Sequence, residues 1–158
     1  MNYFIHTALV VGTFLLMEAV AWATHKYVMH GPLWSWHRSH HKKHPHALER
    51  NDLFALVFSI PSILLIVAGF ELPEWAFLKY VGFGIMSYGL FYFVFHDIIV
   101  HRRINIPYKA KNKYMKRIMK AHYVHHETHT KEDAEAFGFL YAPKKYEAKE
   151  DQTIRRKK

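Results

Sequence analysis

Three long apolar runs dominate the sequence and restrict the chain to a membrane-embedded, helical architecture. The runs cover residues 3–24, about 53–70 and roughly 75–100. Each is long enough to cross a bilayer core, which takes about 17 to 25 helical residues. A secretory signal peptide is not expected, because the first run lacks a basic start and continues directly into His25. The pattern predicts an all-α integral membrane bundle of three to four transmembrane helices.

The third apolar run has two further features. Its small residues are suited to close helix contact inside a membrane, and they are Gly82, Gly84, Ser87 and Gly89. A helix over 75–100 would rise about 39 Å, longer than the bilayer core of about 30 Å. We therefore expect its carboxyl end, with His96 and His101, to project into water.

The distribution of charge predicts the orientation of the bundle. The net charge is +9, and the basic residues concentrate in segments 25–50 and 101–120, whereas the 71–74 link has two glutamates and no base. By the positive-inside rule both basic segments face the cytoplasm. The charge is thus mostly topogenic and does not indicate nucleic-acid binding. A cytoplasmic, histidine-rich helical cap is expected at this face.

Ten of the fourteen histidines fall into two pairs and two triplets that repeat in the same order. Each pair has the spacing H-x4-H, and each triplet has offsets 0, 3 and 4, which place its side chains on one face of a helix. Imidazole is a good ligand for divalent iron, zinc, copper and nickel. The candidate metal ligands are His25, His30, His37, His40, His41, His96, His101, His122, His125 and His126.

The spacing favours a cluster of two metal ions over several separate sites. Within a triplet, residues i and i+3 can face one ion while i+4 faces the other. In a regular α-helix the rings of an H-x4-H pair lie about 140° apart, so such a pair would give one ring to each of two ions or straddle a helix end. One predicted set is His25, His37, His40, His122 and His125. The other is His30, His41, His96, His101 and His126.

We predict other roles for the remaining histidines and for two acidic residues of the apolar runs. We do not expect His6, His44, His46 or His129 to be ligands. Glu18 lies too far from His25 along a helix to bind the same ion, so we expect it to form hydrogen bonds between helices. Asp97 precedes His101 by four residues and could orient that ring from outside the ligand shell.

Several classes of metal site are excluded by what the sequence lacks. The absence of cysteine excludes disulfides, thiolate-bound zinc, cysteine-ligated iron–sulfur clusters and a cysteine nucleophile. The metalloprotease motif H-E-x-x-H is also missing. A structural zinc site takes about four ligands, and a membrane haem would have its ligands within the spans. A redox-active iron pair that activates O₂ remains, with a lipid-soluble substrate from the bilayer and electrons from the cytoplasm.

The carboxyl-terminal part of the chain contains three segments. Residues 110–129 have the periodicity of an amphipathic helix. Residues 137–143 form an aromatic patch that we expect at the membrane interface. Residues 144–158 are strongly charged and are predicted to be disordered, so the membrane domain is assigned to 1–143.

The histidine series resembles that of the fatty-acid hydroxylase superfamily of membrane non-haem di-iron oxygenases. The residues between the histidines look more narrowly like those of the bacterial beta-carotene 3-hydroxylases. The similar motifs are H-K-Y-V-M-H-G at 25–31, W-H-R-S-H-H at 36–41, N-D-L at 51–53, Y-G-L at 88–90, H-D at 96–97 and F-G-F-L-Y-A-P at 137–143. The match runs over about residues 15–143.

This resemblance implies a function and a set of cofactors. The reaction would be hydroxylation of β-ionone rings at C3 and C3′, from beta-carotene through beta-cryptoxanthin to zeaxanthin. It would use two iron ions held by the ten histidines, O₂, and electrons from reduced ferredoxin, and such nitrogen sites also accept zinc in purified protein. The implied location is the bacterial inner membrane, with the metal site on the cytoplasmic side. The alternatives are a fatty-acyl or sterol hydroxylase or desaturase of the same superfamily, and a histidine-rich membrane metal transporter.

Overall fold

The computed structural model describes residues 2–42 and 48–147. The predictions for His44 and His46, and for 148–158, fall outside this range. Every regular element in the described residues is helical, which confirms the all-α prediction. The α-helices are α1 (Asn2–Ala23), α2 (Trp34–His37), α3 (Leu53–Glu71), α4 (Leu78–Tyr92) and α5 (Lys113–Glu127).

Two of the helices change their winding at the end that approaches the histidines. α1 continues into a π-helix at Thr24–Met29, and α4 continues into a π-helix at Phe93–Val100. Short 3₁₀ turns occur at Arg50–Asp52, Pro73–Trp75 and Lys144–Tyr146. Each π-helical segment contains the first histidine of one H-x4-H pair, and the second histidine follows directly after the segment.

Three helical segments of the described chain are long and apolar enough to cross a membrane. They are Tyr3–Met29, Arg50–Glu71 and Leu78–Val100. Large apolar side chains cover their outer surface, as at Leu64, which is 62% exposed. Apolar side chains facing outward along a whole bundle are suited to lipid and not to water. The predicted membrane bundle is confirmed with three spans.

Glycines on α4 allow both neighbouring spans to approach closely. A Cβ on Gly82 would lie 2.7 Å from the carbonyl oxygen of Ser62 on α3, and one on Gly84 would lie 2.8 Å from that of Val10 on α1. The Ser62 hydroxyl also donates to the Gly82 carbonyl at 2.8 Å. These contacts confirm the role of Gly82 and Gly84. Gly89 differs, because a Cβ there would meet nothing within 4 Å.

Glu18 connects three parts of the molecule. The Tyr88 hydroxyl on α4 donates to Glu18 Oε2 at 2.8 Å, which confirms the predicted hydrogen bond between helices. The backbone N–H groups of Phe139 and Leu140 donate to Oε1 at 2.6 and 2.7 Å. A carboxylate in an apolar bundle needs such partners, and here it anchors the carboxyl-terminal segment to α1.

Helix α5 closes the histidine end of the bundle. Its first turn is capped by the Asn112 side chain, whose Oδ1 accepts from the Met115 N–H at 2.7 Å. Its buried face carries Ile118, Ala121, His122 and His125, so the amphipathic helix predicted over 110–129 is confirmed with shorter bounds.

The 137–143 segment is partly buried in the protein, and its position at the membrane interface stays a prediction. Phe139 and Ala142 are buried in one apolar cluster with Phe95, and Tyr141 is 70% exposed. Tyr146 packs into the same cluster. The packed region therefore includes Lys144–Tyr146, and disorder of the later tail stays a prediction.

Candidate metal centre

The ten histidines predicted as ligands lie together in two compact groups. The first group is His25, His30, His37, His41 and His125, and the second group is His40, His96, His101, His122 and His126. Within each group one ring nitrogen from every histidine lies within 4.8 Å of all the others. The division differs from the predicted one at four positions, namely His30, His41, His40 and His122.

The triplets divide in a different way from the one predicted. His37 and His41 belong to the first group, whereas His40 faces the second. Residues i and i+4 of an α-helix differ by about 40° around the axis, whereas i and i+3 differ by about 60° on the other side. The second triplet lies on α5, so its i and i+4 rings, His122 and His126, share the second group while His125 faces the first. The first triplet begins at the last residue of α2 and continues into turns, but its i and i+4 rings are grouped in the same way.

The H-x4-H pairs also behave differently from the α-helical expectation. His30 N–H donates to the His25 carbonyl at 3.0 Å, and His101 N–H donates to the His96 carbonyl at 2.8 Å. These i to i+5 bonds define a π-helix, whose wider turn brings residues five apart onto one face. Each pair therefore serves one group. The predicted separation of His25 from His30 was wrong, whereas His96 and His101 share a group as their predicted set had them.

Uncharged oxygens orient all the histidines of the first group. Four of the five rings donate from Nδ1 to backbone carbonyls of the 128–137 loop. The bonds are His41 to Thr128 (2.7 Å), His30 to Lys131 (3.1 Å), His125 to Glu135 (2.8 Å) and His25 to Phe137 (3.0 Å). The fifth is His37 Nδ1, which contacts Asn51 Oδ1 at 2.7 Å. The sequence carried no signal for these carbonyl partners.

These bonds determine which ring nitrogen is available to a metal ion. A carbonyl oxygen only accepts, so Nδ1 carries the proton and Nε2 presents a lone pair. The Nε2 atoms of His30 and His125 nevertheless lie 3.2 Å apart, and those of His25 and His37 lie 3.0 Å apart. Facing lone pairs repel unless a cation lies between them. Nitrogen ligands at right angles around an ion with bonds of about 2.1 Å are about 3.0 Å apart, so the first group fits a metal ion.

Carboxylates orient two histidines of the second group. His40 Nδ1 lies 3.0 Å from Glu49 Oε1, and His96 Nδ1 lies 2.6 Å from Asp97 Oδ1. Asp97 thus supports His96, whereas the sequence suggested His101, because the π-helical turn directs the neighbouring ring at the carboxylate. The Arg103 guanidinium forms an ion pair with Glu49, and the same carboxylate contacts His40 Nδ1. Sequence reasoning missed Glu49.

The second group also fits a metal ion. Nε2 of His40 lies 2.9 Å from that of His96, and Nε2 of His101 lies 2.8 Å from that of His122. The Nε2 atom of His126 is buried and has no hydrogen-bond partner. A buried nitrogen without a partner costs about 1 to 3 kcal/mol, and a bound cation would remove that cost.

Burial keeps the imidazoles in the form that binds metal. It lowers the pKa of His37 to about 3 and that of His41 and His101 to about 4. The pKa of His125 falls to about 3 for the same reason, and that of His126 falls to about 2, where the neighbouring histidines lower it further. Metal binding requires neutral imidazole, so these rings need no deprotonation at neutral pH.

The other two described histidines lie outside both groups. His6 stacks on Tyr80 with ring centroids 4.0 Å apart, far along α1 from the ligands. His129 Nδ1 donates to the backbone carbonyl of His41 at 3.0 Å. Neither contributes to a group, in agreement with the expectation that they are not ligands.

An apolar cavity of about 440 Å³ lies between α1, α3 and α4 and reaches the first histidine group at His25. Its walls include Met17, Phe54 and Leu90. The structure describes all ten grouped histidines, and His25 is the one that lines the cavity, together with Phe137. A volume of this size suits a small organic group. The sequence did not reveal this cavity, because its walls come from three separate spans.

The family model for fatty acid hydroxylase matches residues 10–142, and the chain belongs to this family. It is 41% identical over 144 residues to a beta-carotene hydroxylase of Paracoccus sp. (strain PC1), an alignment that covers 90% of this chain and 88% of that protein. It is 47% identical over 131 residues to the beta-carotene hydroxylase of Pantoea ananas, covering 83% of this chain and 74% of that one. No solved structure matches the chain.

Proposed function

We propose that this chain is a carotenoid hydroxylase that inserts one oxygen atom from O₂ at C3 and C3′ of β-ionone rings. The successive products would be beta-cryptoxanthin and zeaxanthin from beta-carotene. The observation that carries the proposal is the presence of two adjacent five-histidine groups with an apolar cavity that reaches the first of them at His25. The identity of 41–47% to bacterial beta-carotene hydroxylases over most of the chain supports the substrate.

Two iron ions are the proposed cofactors, one for each histidine group, with zinc able to occupy the same nitrogens in purified protein. When bound, a redox-active iron pair supplies O₂ activation for attack on an unactivated C–H bond, which redox-silent zinc cannot do. Each hydroxylation consumes one O₂, two electrons and two protons. One oxygen atom enters the C–H bond and the other leaves as water.

The residues of this chain would bind and position the substrate ring. The apolar side chains of α1, α3 and α4 exclude water from the cavity, where an end ring would replace lipid contacts with protein contacts. Phe137 and His25 line the cavity where it meets the first group. The Phe137 carbonyl accepts from His25 Nδ1, so one residue both lines the cavity and orients a ligand.

We propose that the metal centre faces the cytoplasm across the bacterial inner membrane and receives electrons from a reduced ferredoxin-type protein. The basic segments that flank the histidines support this orientation. Lys116 and Lys120 are exposed on α5, whose buried face carries His122. An acidic donor docked there would lie one helix thickness from the ligands.

Pigment analysis in bacteria that already make beta-carotene tests the proposed reaction. Expression of this chain should convert the pigment to zeaxanthin. His40→Ala and His125→Ala should each abolish the conversion while the protein still reaches the membrane, because each removes a ligand from one group. His6→Ala is the matched control and should retain conversion. Protein that is present and iron-loaded but leaves beta-carotene unchanged would contradict the proposal.

A further inference from the structure

The two histidine groups differ in the charge of the oxygens that hold their rings. In the first group all five Nδ1 atoms bond to uncharged oxygens, four from the 128–137 loop and one from Asn51. In the second group, His40 and His96 bond to the carboxylates of Glu49 and Asp97. Nδ1 therefore bonds to an uncharged oxygen throughout the first group, whereas in His40 and His96 of the second group it bonds to a charged carboxylate.

Arg103 joins the carboxylates of the second group into one cluster. It forms ion pairs with Glu49 and with Asp52, the latter at 2.6 Å, and its Nε lies 4.0 Å from Asp97 Oδ1. Its backbone N–H also donates to the Asp97 carbonyl at 2.9 Å. Among the described residues, three carboxylates thus lie around this guanidinium. The Glu49 side chain is only 5% exposed, which limits screening by water.

This contrast has a direct consequence for metal binding. An imidazole whose N–H donates to a carboxylate is a more basic ligand than one whose N–H donates to an amide oxygen, because the negative charge stabilises positive charge on the ring. The carboxylates of Glu49 and Asp97 beside these rings also attract a dication through the low-dielectric interior. Both effects strengthen metal binding by the second group. The Nδ1 atoms of the first group bond only to uncharged oxygens, so its rings gain neither effect from these bonds.

We infer that the two metal positions are inequivalent: the second group binds its ion more tightly, and the first group is the weaker position that faces the cavity. The inference rests on the proposed two-metal function and adds a division of roles to it. His25 of the first group lines the cavity, so the position nearer the substrate ring has the less basic ligands. Arg103 acts as a positioning residue for the tighter position, through Glu49 and Asp97.

Titration of the metal-free, full-length protein in detergent micelles with Co²⁺ tests this inference by calorimetry. The unaltered chain should bind two ions in two resolved steps. Glu49→Gln and Asp97→Asn should each weaken the tighter step by about 10- to 100-fold and leave the weaker step in place. Asn51→Asp should tighten the weaker step, since it gives His37 a carboxylate partner at the same position.

The opposite shifts from Glu49→Gln and Asn51→Asp separate a charge effect from simple damage to the fold, because a damaged protein would not bind more tightly. Two quadrupole doublets of equal area in the Mössbauer spectrum of ⁵⁷Fe-loaded protein would give independent support. Two ions bound with one shared affinity, or an Asn51→Asp variant with an unchanged weaker step, would overturn the inference while the proposed di-iron function stands. Binding of fewer than two ions would contradict both.

Discussion

The backbone N–H of His101 donates to the carbonyl of His96 at 2.8 Å, and both rings belong to the second group. This i to i+5 bond is the signature of the π-helix that ends the third span. His25 and His30 repeat the arrangement at the end of the first span. The first and third spans therefore each bring two candidate ligands into a single group by changing their winding at the histidine end.

Metal content should reflect this pairing. His101→Ala removes one ligand from the second group and leaves the first complete, so bound iron should fall from two per chain toward one. His30→Ala should have the same effect through the first group. Mass-spectrometric metal analysis of purified protein measures both. Retention of two ions in either variant would contradict the grouping, and His6→Ala, outside both groups, controls for handling losses.

A leucine at Gly89 should obstruct the cavity without disturbing the metals. Gly89 lines the cavity, and a Cβ there would meet nothing within 4 Å, so the larger side chain can enter the empty space. Conversion of beta-carotene should fall at least about tenfold, as expected when near-attack positioning is lost, while iron content stays at two.

Gly12→Leu is the matched control for the cavity. Gly12 also has no atom within 4 Å of an added Cβ, but it lies outside the cavity lining, so its leucine variant should keep activity. Equal activities of the two variants, measured by pigment chromatography, would show that this cavity does not hold the substrate.

The 128–137 loop stores backbone strain at Ala136. This residue has a φ of 62° and lies between Glu135 and Phe137, whose carbonyls orient two ligands of the first group. Glycine adopts this conformation without steric cost. Ala136→Gly should therefore stabilise the protein by about 0.5 to 1 kcal/mol, after the entropy lost from the unfolded chain is included.

Ala134→Gly, in the same loop, is the control for this prediction. Ala134 does not have a positive φ, so glycine there relieves no strain and should lower the free energy of unfolding. Thermal unfolding of both variants in micelles decides the matter. A lower unfolding temperature for Ala136→Gly than for the parent would refute the strain argument.

The metal-free protein should become less stable in mild acid. Burial lowers the pKa of His37 and His125 to about 3, whereas an unfolded histidine titrates near pH 6.5. Between these values the unfolded chain binds more protons than the folded chain, so stability falls as the pH drops below about 6.5. Unfolding temperatures recorded from pH 7 to pH 4 should decline, and His37→Gln should show a shallower decline. A flat profile would be inconsistent with neutral, buried rings.

Much of this architecture was predictable from the sequence, because the signals were local. Twenty apolar residues in a row have few alternatives to a membrane helix, and histidines at offsets 0, 3 and 4 share a helix face wherever they occur. The hydrogen-bonding role of Glu18 followed from the cost of an acid at that depth. The ten candidate ligands were chosen from a local signal as well, namely the spacing of the histidines along the chain.

The division of the ligands could not be predicted in this way. It depends on the π-helical winding at His25–His30 and His96–His101, which side-chain periodicity does not encode. The carbonyls of the 128–137 loop and the pairing of Arg103 with Glu49 are likewise long-range relationships. They form because the folded chain must satisfy buried polar groups, and a single sequence does not show which partner each group will find.

Reaction of the iron-loaded protein with beta-carotene and ¹⁸O₂, in the presence of reduced ferredoxin, tests the central claim most directly. The account predicts zeaxanthin in which the hydroxyl oxygens at C3 and C3′ both carry ¹⁸O, with mass increased by 4 Da relative to the product made in ¹⁶O₂. Hydroxyl oxygen derived from water, or beta-carotene recovered unchanged by protein that holds two irons, would contradict it.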